Sequence, residues 1–305
     1  MEFLYRTALG IGFAAVLGMS AYALVHSGIY GLALFALLPV ALGALAAWVC
    51  DAQTANQAAL AGFLSVAAAS LLFLLFGAEG AICIVMALPI AAPLACLGAW
   101  ITFQLRKERK HLRRAGILLL LPPASLAWDM NATMPLFEVR SAIEINAPPE
   151  TVWQNVVSFS DLPRPQEWYF KTGLAYPQRA RIEGSGAGAI RYCEFSTGPF
   201  VEPIETWDPP KLLRFSVTEN PAPMEEWSPY GKVTPRHLHG YLVSEKGQFR
   251  LTRLANNRTR LEGTTWYRHG LRPVQYWRVW SDAIIHRIHL RVLNHIRVLS
   301  EEQGI

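Results

Sequence analysis

The stretch Val139–Trp153, VRSAIEINAPPETVW, joins a strand to the start of a helix. Apolar residues alternate with charged ones from just before it, which predicts a half-buried strand. The apolar set is Phe137, Val139, Ile143 and Ile145, and the charged set is Glu138, Arg140 and Glu144. The prolines and Glu150 that follow suit the first turn of a helix. The stripe Val152, Trp153, Val156, Val157 predicts a short helix ending near Phe159.

Outward from this stretch, the pattern predicts a second short helix around 166–172 and then a run of strands. Six strands are expected, near 180–185, 188–197, 201–207, 211–218, 247–255 and 258–268. Pro203 interrupts one of them, which predicts an edge strand or a bulge. Residues 219–240 form a long proline-containing loop, and a loop of that length is often a lid or a binding loop.

The chain closes with a long helix, from about Pro273 to Glu302. One face of it is predicted to carry Trp277, Trp280, Ser281, Ile284, Ile288, Val292, His295 and Leu299. Strands in sequence with helices on one side predict an α+β domain over 129–305.

The Val139–Trp153 stretch resembles the start of the SRPBCC superfamily (START-like, polyketide cyclase/dehydrase and lipid transport). Asp208–Phe215, DPPKLLRF, resembles the turn into a central strand of that superfamily. The resemblance covers about 135–302 and implies a helix-grip fold, in which a curved antiparallel sheet wraps the C-terminal helix around a cavity. Members bind sterols, lipids, polyketides or other apolar ligands, and some are cyclases or hydrolases. The resemblance carries over no catalytic residue, and no cofactor is expected.

The first 128 residues are almost uncharged, with 7 Lys/Arg and 4 Asp/Glu against 21 and 19 in the remainder. Residues 7–50, 52–78 and 80–105 contain none of these four types. A crossing of a bilayer needs about 20 apolar residues, so we expect membrane spans near 8–25, 29–50, 58–76 and 81–103. A fifth segment, 115–128, is short and holds Pro122-Pro123, which leaves open whether it crosses.

Lys and Arg crowd residues 106–114, which predicts that this loop is cytoplasmic. The chain is then a multi-pass protein of the inner membrane. Residues 129–305 are periplasmic if 115–128 crosses and cytoplasmic if it does not. The spans have no ionisable residue at their centres, which favours an anchor over a transporter. The mild basicity is spread over both halves, so no nucleic-acid partner is expected.

The expected partner is a hydrophobic small molecule or lipid, with the membrane close by. Its predicted contacts are aromatic and aliphatic residues of the last strand and last helix: Trp266, Tyr267, Trp277, Trp280, Ile284 and Ile288. The alternative is that these side chains fill the core.

Two other functions stay open. A cyclase- or hydrolase-like enzyme needs an acid or base in the cavity, and the weak candidates are Glu194, His237, His239, Glu262 and His295. Cys193 is expected to be a core residue. A non-enzymatic scaffold could dock a membrane partner through Trp227–Tyr230.

No metal is expected, although Asp282, His286 and His289 share one helix face at a spacing that could hold an ion. His237 and His239 of the long loop could complete such a site if the loop folds over the helix.

Overall fold

The structure, a computed structural model, describes residues 2–107 and 121–303. The chain divides into two units. The helical unit consists of Met1–Thr133, Glu226–His237 and Gly270–Gln275, and the sheet unit consists of Met134–Glu225, Leu238–His269 and Tyr276–Ile305. The helical unit therefore includes two segments that come late in the sequence.

The helical unit is built from apolar helices. They are α1 (Glu2–His26), α2 (Leu38–Val49), which a π-helical turn at Ala33–Leu37 precedes, α3 (Ala55–Leu75), α4 (Ala81–Lys107) and α5 (Leu121–Asn131). In the described part of the chain, three segments are long and apolar enough to cross a membrane: Ala8–His26, Ala55–Leu75 and Ala81–Arg106. The segment Ala33–Val49, within the predicted span 29–50, is apolar but shorter. Of the predicted segment 115–128, residues 115–120 lie outside the described residues and the rest is in α5.

Small residues let α2 and α4 approach closely. A Cβ atom on Gly43 would lie 1.8 Å from the carbonyl oxygen of Ala95, and one on Gly98 would lie 2.0 Å from that of Val40. Backbones that meet through glycine are typical of helices packed in membranes. At this separation of the two helices, positions 43 and 98 have room only for glycine.

The sheet unit holds a seven-stranded antiparallel sheet in the order β1-β9-β8-β5-β4-β3-β2. The strands are β1 (Leu136–Ile145), β2 (Pro177–Glu183), β3 (Ile190–Phe195), β4 (Gly198–Asp208), β5 (Leu212–Ser216), β8 (Leu242–Arg253) and β9 (Thr259–His269). Two short strands, β6 (Glu226–Ser228) and β7 (Gly231–Val233), form a hairpin in the helical unit. The long predicted loop 219–240 thus contains a hairpin.

Irregular pairing accompanies the curl of this sheet. The register shifts between Pro177 and Arg179, between Ile204 and Thr206, and between Ser244 and Lys246. Such bulges bend a strand and increase its twist. Pro203 stands just before the second shift in a strand that lies inside the sheet, so of the two expectations for it the bulge is the correct one.

Two helices complete the sheet unit: α6 (Pro149–Val157) and α7 (Val274–Glu302), which begins in the helical unit. The second short helix predicted at 166–172 is only a 3-10 turn at Phe170–Thr172. Val152 of α6, Leu213 and Leu261 of the sheet, and Leu293 and Ile296 of α7 are all fully buried in one core. A curled antiparallel sheet that packs on a long C-terminal helix confirms the helix-grip fold.

The buried face of α7 differs from the predicted one. It consists of Trp277, Ser281, Ile285, Val292, Leu293, Ile296 and Ser300. Ile284, Ile288 and His295, which were expected on this face, are only partly buried. Trp277, Ser281 and Val292 are buried as predicted, whereas Trp280 and Leu299 are also only partly buried.

Candidate functional site

A cavity of about 130 Å³ lies between the sheet and α7. Its wall is mostly aromatic and aliphatic and includes Phe195, Phe200, Phe215, Phe249, Ile284, Ile288 and Val292. An apolar cavity of roughly 150 Å³ holds a benzene molecule. The cavity therefore accepts a group of about the size of one ring in this conformation.

One ion pair is buried in this apolar wall. Arg191 of β3 stands directly opposite Glu202 of β4, and its guanidinium donates a hydrogen bond to the carboxylate. Arg191 is 1% exposed and Glu202 is 6% exposed. The guanidinium also lies 5.6 Å from the ring centre of Phe215 and 5.5 Å from that of Phe249. Burial raises the pKa of Glu202 even beside this cation.

Two buried polar atoms of the cavity lining have no hydrogen-bond partner within the described residues: Nη2 of Arg191 and Oγ1 of Thr264. An unpaired buried donor carries a penalty of about 1–3 kcal/mol, and more when it is charged. A ligand with an oxygen acceptor would satisfy Arg191. The cavity thus combines an apolar body with a donor at its wall, as small-molecule sites do.

His289 also lines the cavity, but both of its nitrogens are engaged. Its Nδ1 lies 3.1 Å from Oγ of Ser141, and its Nε2 lies 2.7 Å from Oγ1 of Thr265. Burial, with a smaller effect of His286, lowers the pKa of His289 to about 4. The imidazole is therefore neutral at pH 7 and positioned by two hydroxyl groups.

The sequence-based metal candidates do not form a metal cluster in the described residues. Nδ1 of His286 lies 2.7 Å from the same Ser141 hydroxyl as His289 does. Asp282 instead accepts a hydrogen bond from the Tyr267 hydroxyl at 2.5 Å and pairs with Arg278 at 3.1 Å. The helix spacing was read correctly, but Asp282 and the two histidines contact different partners.

Most of the weak catalytic candidates lie away from the cavity. Glu194 accepts hydrogen bonds from Arg179 at 2.6 Å and from Arg181 at 3.1 Å, and Arg179 lowers its pKa. Glu262 faces Arg140 at 3.6 Å, and His239 is exposed.

The two remaining histidine candidates are held by other contacts. Nε2 of His295 lies 3.2 Å from the carbonyl oxygen of Ser160, on the surface of the sheet unit. His237 is buried in the helical unit, beside Glu79 and Cys83.

The predicted ligand contacts divide into two groups. Ile284 and Ile288 lie on the cavity wall. Trp266, Tyr267, Trp277 and Trp280 lie outside the lining as the structure describes it. Trp266 donates to Glu138 at 3.0 Å, and the Tyr267 hydroxyl is engaged by Ser281 and Asp282. Contact of the six residues with a ligand stays a prediction.

Sequence reasoning missed Arg191, Glu202 and Thr264. The only signal was the alternation in β3, where Arg191, Cys193 and Phe195 share one face. Cys193 is buried as predicted, and burial raises the pKa of its thiol to about 12. It is therefore a protonated wall residue of the cavity.

Comparisons with known proteins agree with this architecture. Residues 137–272 match the family model described as polyketide cyclase / dehydrase and lipid transport. A comparison with curated proteins found no match.

Many solved structures are similar to this chain, and two of them are a norcoclaurine synthase and an aromatase/cyclase. Norcoclaurine synthase from Thalictrum flavum, in complex with dopamine and hydroxybenzaldehyde, is 12% identical, with 56% of this chain and 90% of that one covered and a TM-score of 0.37. The Zhui aromatase/cyclase from a Streptomyces species is 15% identical, with 55% and 96% covered and a TM-score of 0.35. Residues 137–272, which include the cavity strands β3, β4, β5 and β8, are therefore similar to the polyketide cyclase/dehydrase and lipid-transport family of the SRPBCC superfamily.

Proposed function

We propose that the sheet unit binds a small hydrophobic molecule that carries an oxygen acceptor, and that the apolar helices anchor it to a membrane. The observation that carries the proposal is the unpaired Nη2 of Arg191 in an otherwise apolar cavity. The acceptor would bind at Arg191, and the rings of Phe215 and Phe249 would enclose the apolar part. A binder in a membrane takes up an apolar ligand without moving it through water.

Native mass spectrometry of the full chain in nanodiscs, followed by solvent extraction, tests this proposal. The wild-type chain is expected to retain a small molecule, and Ile288→Phe, which fills the cavity, is expected to lose it. Val279→Phe is the matched control because Val279 lies on the same helix and is 69% exposed. A lipid kept by all three chains belongs to the helical unit.

If the wild-type chain stays bare after incubation with total membrane lipid, or if Ile288→Phe retains the molecule as wild type does, the binding proposal is wrong. That result would favour the alternative, a non-enzymatic scaffold that docks a membrane partner.

A cyclase-like reaction is the second candidate because Glu202 lines the cavity and burial raises its pKa. A carboxyl group that holds its proton nearer to neutral pH can act as a general acid. Incubation of the chain with the extracted molecule distinguishes the binder from the enzyme. An enzyme would convert the molecule, and Glu202→Gln would still bind it but would not convert it.

We also propose that residues 129–305 lie across the membrane from the basic loop 106–114. Contacts within the helical unit support this. Asp129 accepts a hydrogen bond from the Ala33 amide at 3.0 Å, and Tyr30 donates one to Glu79 at 2.6 Å. Asp129 is thus placed at the end of the unit where α4 begins, whereas the basic loop follows the other end of α4. The protein would then be a multi-pass protein of the inner membrane with a periplasmic binding domain.

A further inference from the structure

A second polar cluster is buried in the helical unit, and none of its residues lines the cavity of the sheet unit. Glu79 stands two residues before α4, Cys83 lies in the first turn of α4, and His237 follows the β6–β7 hairpin. The potential ligand atoms of these three residues all lie within 4.8 Å of one another. Three different kinds of donor, carboxylate oxygen, thiol sulfur and imidazole nitrogen, therefore meet at one place.

The individual contacts show how the cluster is held. The Cys83 Sγ lies 2.7 Å from Nε2 of His237, and Oε2 of Glu79 lies 3.4 Å from Nδ1 of the same ring. The Tyr30 hydroxyl donates to the other oxygen of Glu79 at 2.6 Å, and its ring meets the His237 ring edge-on at 5.0 Å. Tyr30 thus positions both Glu79 and His237 from outside the cluster.

Glu226 adds a second buried carboxylate next to the cluster. It is 0% exposed and accepts hydrogen bonds from the backbone amides of Ile82 at 3.2 Å and Cys83 at 3.0 Å. A Cβ atom on Gly80 would lie 1.9 Å from its carboxylate oxygen. Glycine at position 80 is therefore required for Glu226 to reach the start of α4 and fix Cys83.

The two buried carboxylates of this region, Glu79 and Glu226, have no lysine or arginine partner in the part of the chain that the structure describes. Among the described residues, Oε2 of Glu79 accepts no hydrogen bond. Buried carboxylates are normally paired or coordinate a metal.

We propose that Glu79, Cys83 and His237 bind one divalent transition-metal ion, and that the ion is zinc. Sulfur, nitrogen and oxygen donors together suit Zn²⁺, at about 2.3 Å from sulfur and 2.0–2.2 Å from nitrogen or oxygen. Tetrahedral coordination at those lengths places neighbouring ligand atoms roughly 3.3–3.7 Å apart. Because Cys83 and Glu79 contact different nitrogens of the His237 ring, metal binding would require a rotation of this ring and a shift of Glu79. Three protein ligands leave a fourth position for water or another small ligand.

Metal content of the purified full chain in detergent tests the proposal, with Zn²⁺ and Co²⁺ as the probes. After incubation with Zn²⁺ and gel filtration, the wild-type chain should hold about one zinc per chain. The Co²⁺-loaded chain should show the near-ultraviolet band of a thiolate-to-cobalt charge transfer. Cys83→Ser should lose this band, and Cys83→Ser, His237→Gln and Glu79→Gln should each bind zinc roughly tenfold more weakly or worse.

Cys96→Ser is the matched control because Cys96 lies in the same helix and its thiol donates to the Ala59 carbonyl at 3.4 Å. It should keep the zinc and the cobalt band, and gel filtration confirms that each variant is folded. A wild-type chain that holds no metal, or a cobalt band that survives Cys83→Ser, overturns the proposal. A metal-free chain in which Cys83 reacts with iodoacetamide faster than Cys96, and loses that advantage in His237→Gln, would also overturn it and identify a thiol–imidazole pair.

Discussion

Arg191 compensates a carboxylate that has no access to water, so its removal should be far more damaging than that of a surface arginine. Loss of one partner of a buried ion pair typically destabilises a protein by about 3–5 kcal/mol. We expect Arg191→Met to lower the free energy of unfolding of the full chain by that amount, because Glu202 stays buried. The double variant Arg191→Met/Glu202→Leu should recover most of the loss. Thermal unfolding in detergent, followed by near-ultraviolet circular dichroism, measures both.

Arg140→Met provides the control for this prediction. Arg140 lies on the edge strand β1, at the other end of the sheet from β3, and pairs with Glu138 at 2.7 Å, with 55% of its side chain exposed. Exposed pairs of this kind contribute about 0–1 kcal/mol. Equal losses for Arg191→Met and Arg140→Met would contradict the importance given to the buried pair.

The sequence alone does not always show which face of a strand points to the core. In β1 the apolar residues themselves show which face is buried. In β3 a charged residue occupies each face: Arg191 points into the cavity and Glu194 meets Arg179 and Arg181 outside it. Glu194 was a candidate because acid–base chemistry needs a carboxylate or a histidine, and the sequence did not determine which face of β3 it occupies. Arg191 is neither, so it was not considered. Only the pairing of β3 with β4 brings Arg191 opposite Glu202.

At the scale of elements, the contact between α2 and α4 depends on glycine. An alanine Cβ at position 43 would lie 1.8 Å from the Ala95 carbonyl oxygen, so the helices must move apart. We expect Gly43→Ala to destabilise the full chain by about 1–3 kcal/mol, the usual effect of overpacking. The unfolding temperature in detergent measures the change.

Gly12→Ala is the comparison for Gly43→Ala, since a Cβ atom on Gly12 would have no neighbour within 4 Å. There the replacement should raise stability by roughly 0.5–1 kcal/mol, because alanine is the better helix former. If both replacements act alike, close approach of α2 and α4 is not the reason for the glycine.

The sequence predicted most elements, because apolar length and alternation are local properties. The uncharged stretches located the helices, although the π-helical turn at Ala33–Leu37 left no local signal. The buried face of α7 overlaps the predicted one at Trp277, Ser281 and Val292 but also includes Ile285, Leu293, Ile296 and Ser300, and Trp280 is only partly buried. The site at Glu79, Cys83 and His237 could not be predicted, since it depends on a loop more than 140 residues away from α4 in sequence.

For the whole molecule, the charge pattern and the contacts of the helical unit predict that residues 129–305 lie on the periplasmic side of the membrane and the N-terminus on the cytoplasmic side. In a Gram-negative host, alkaline phosphatase fused after Ile305 of the full chain should be active, and green fluorescent protein at the same place should be dark. The same reporters fused to the N-terminus should behave in the opposite way, since that end is predicted to be cytoplasmic. A fluorescent C-terminal fusion would place residues 129–305 in the cytoplasm.

The division of the chain has a practical consequence for anyone who wishes to dissect it. The path passes from one unit to the other five times, at residues 133/134, 225/226, 237/238, 269/270 and 275/276. No single truncation separates the helical unit from the sheet unit, because a fragment that starts at Met134 still carries Glu226–His237 and Gly270–Gln275 without the rest of the helical unit. A clean excision would need both segments replaced by short linkers, so the architecture is interleaved rather than modular.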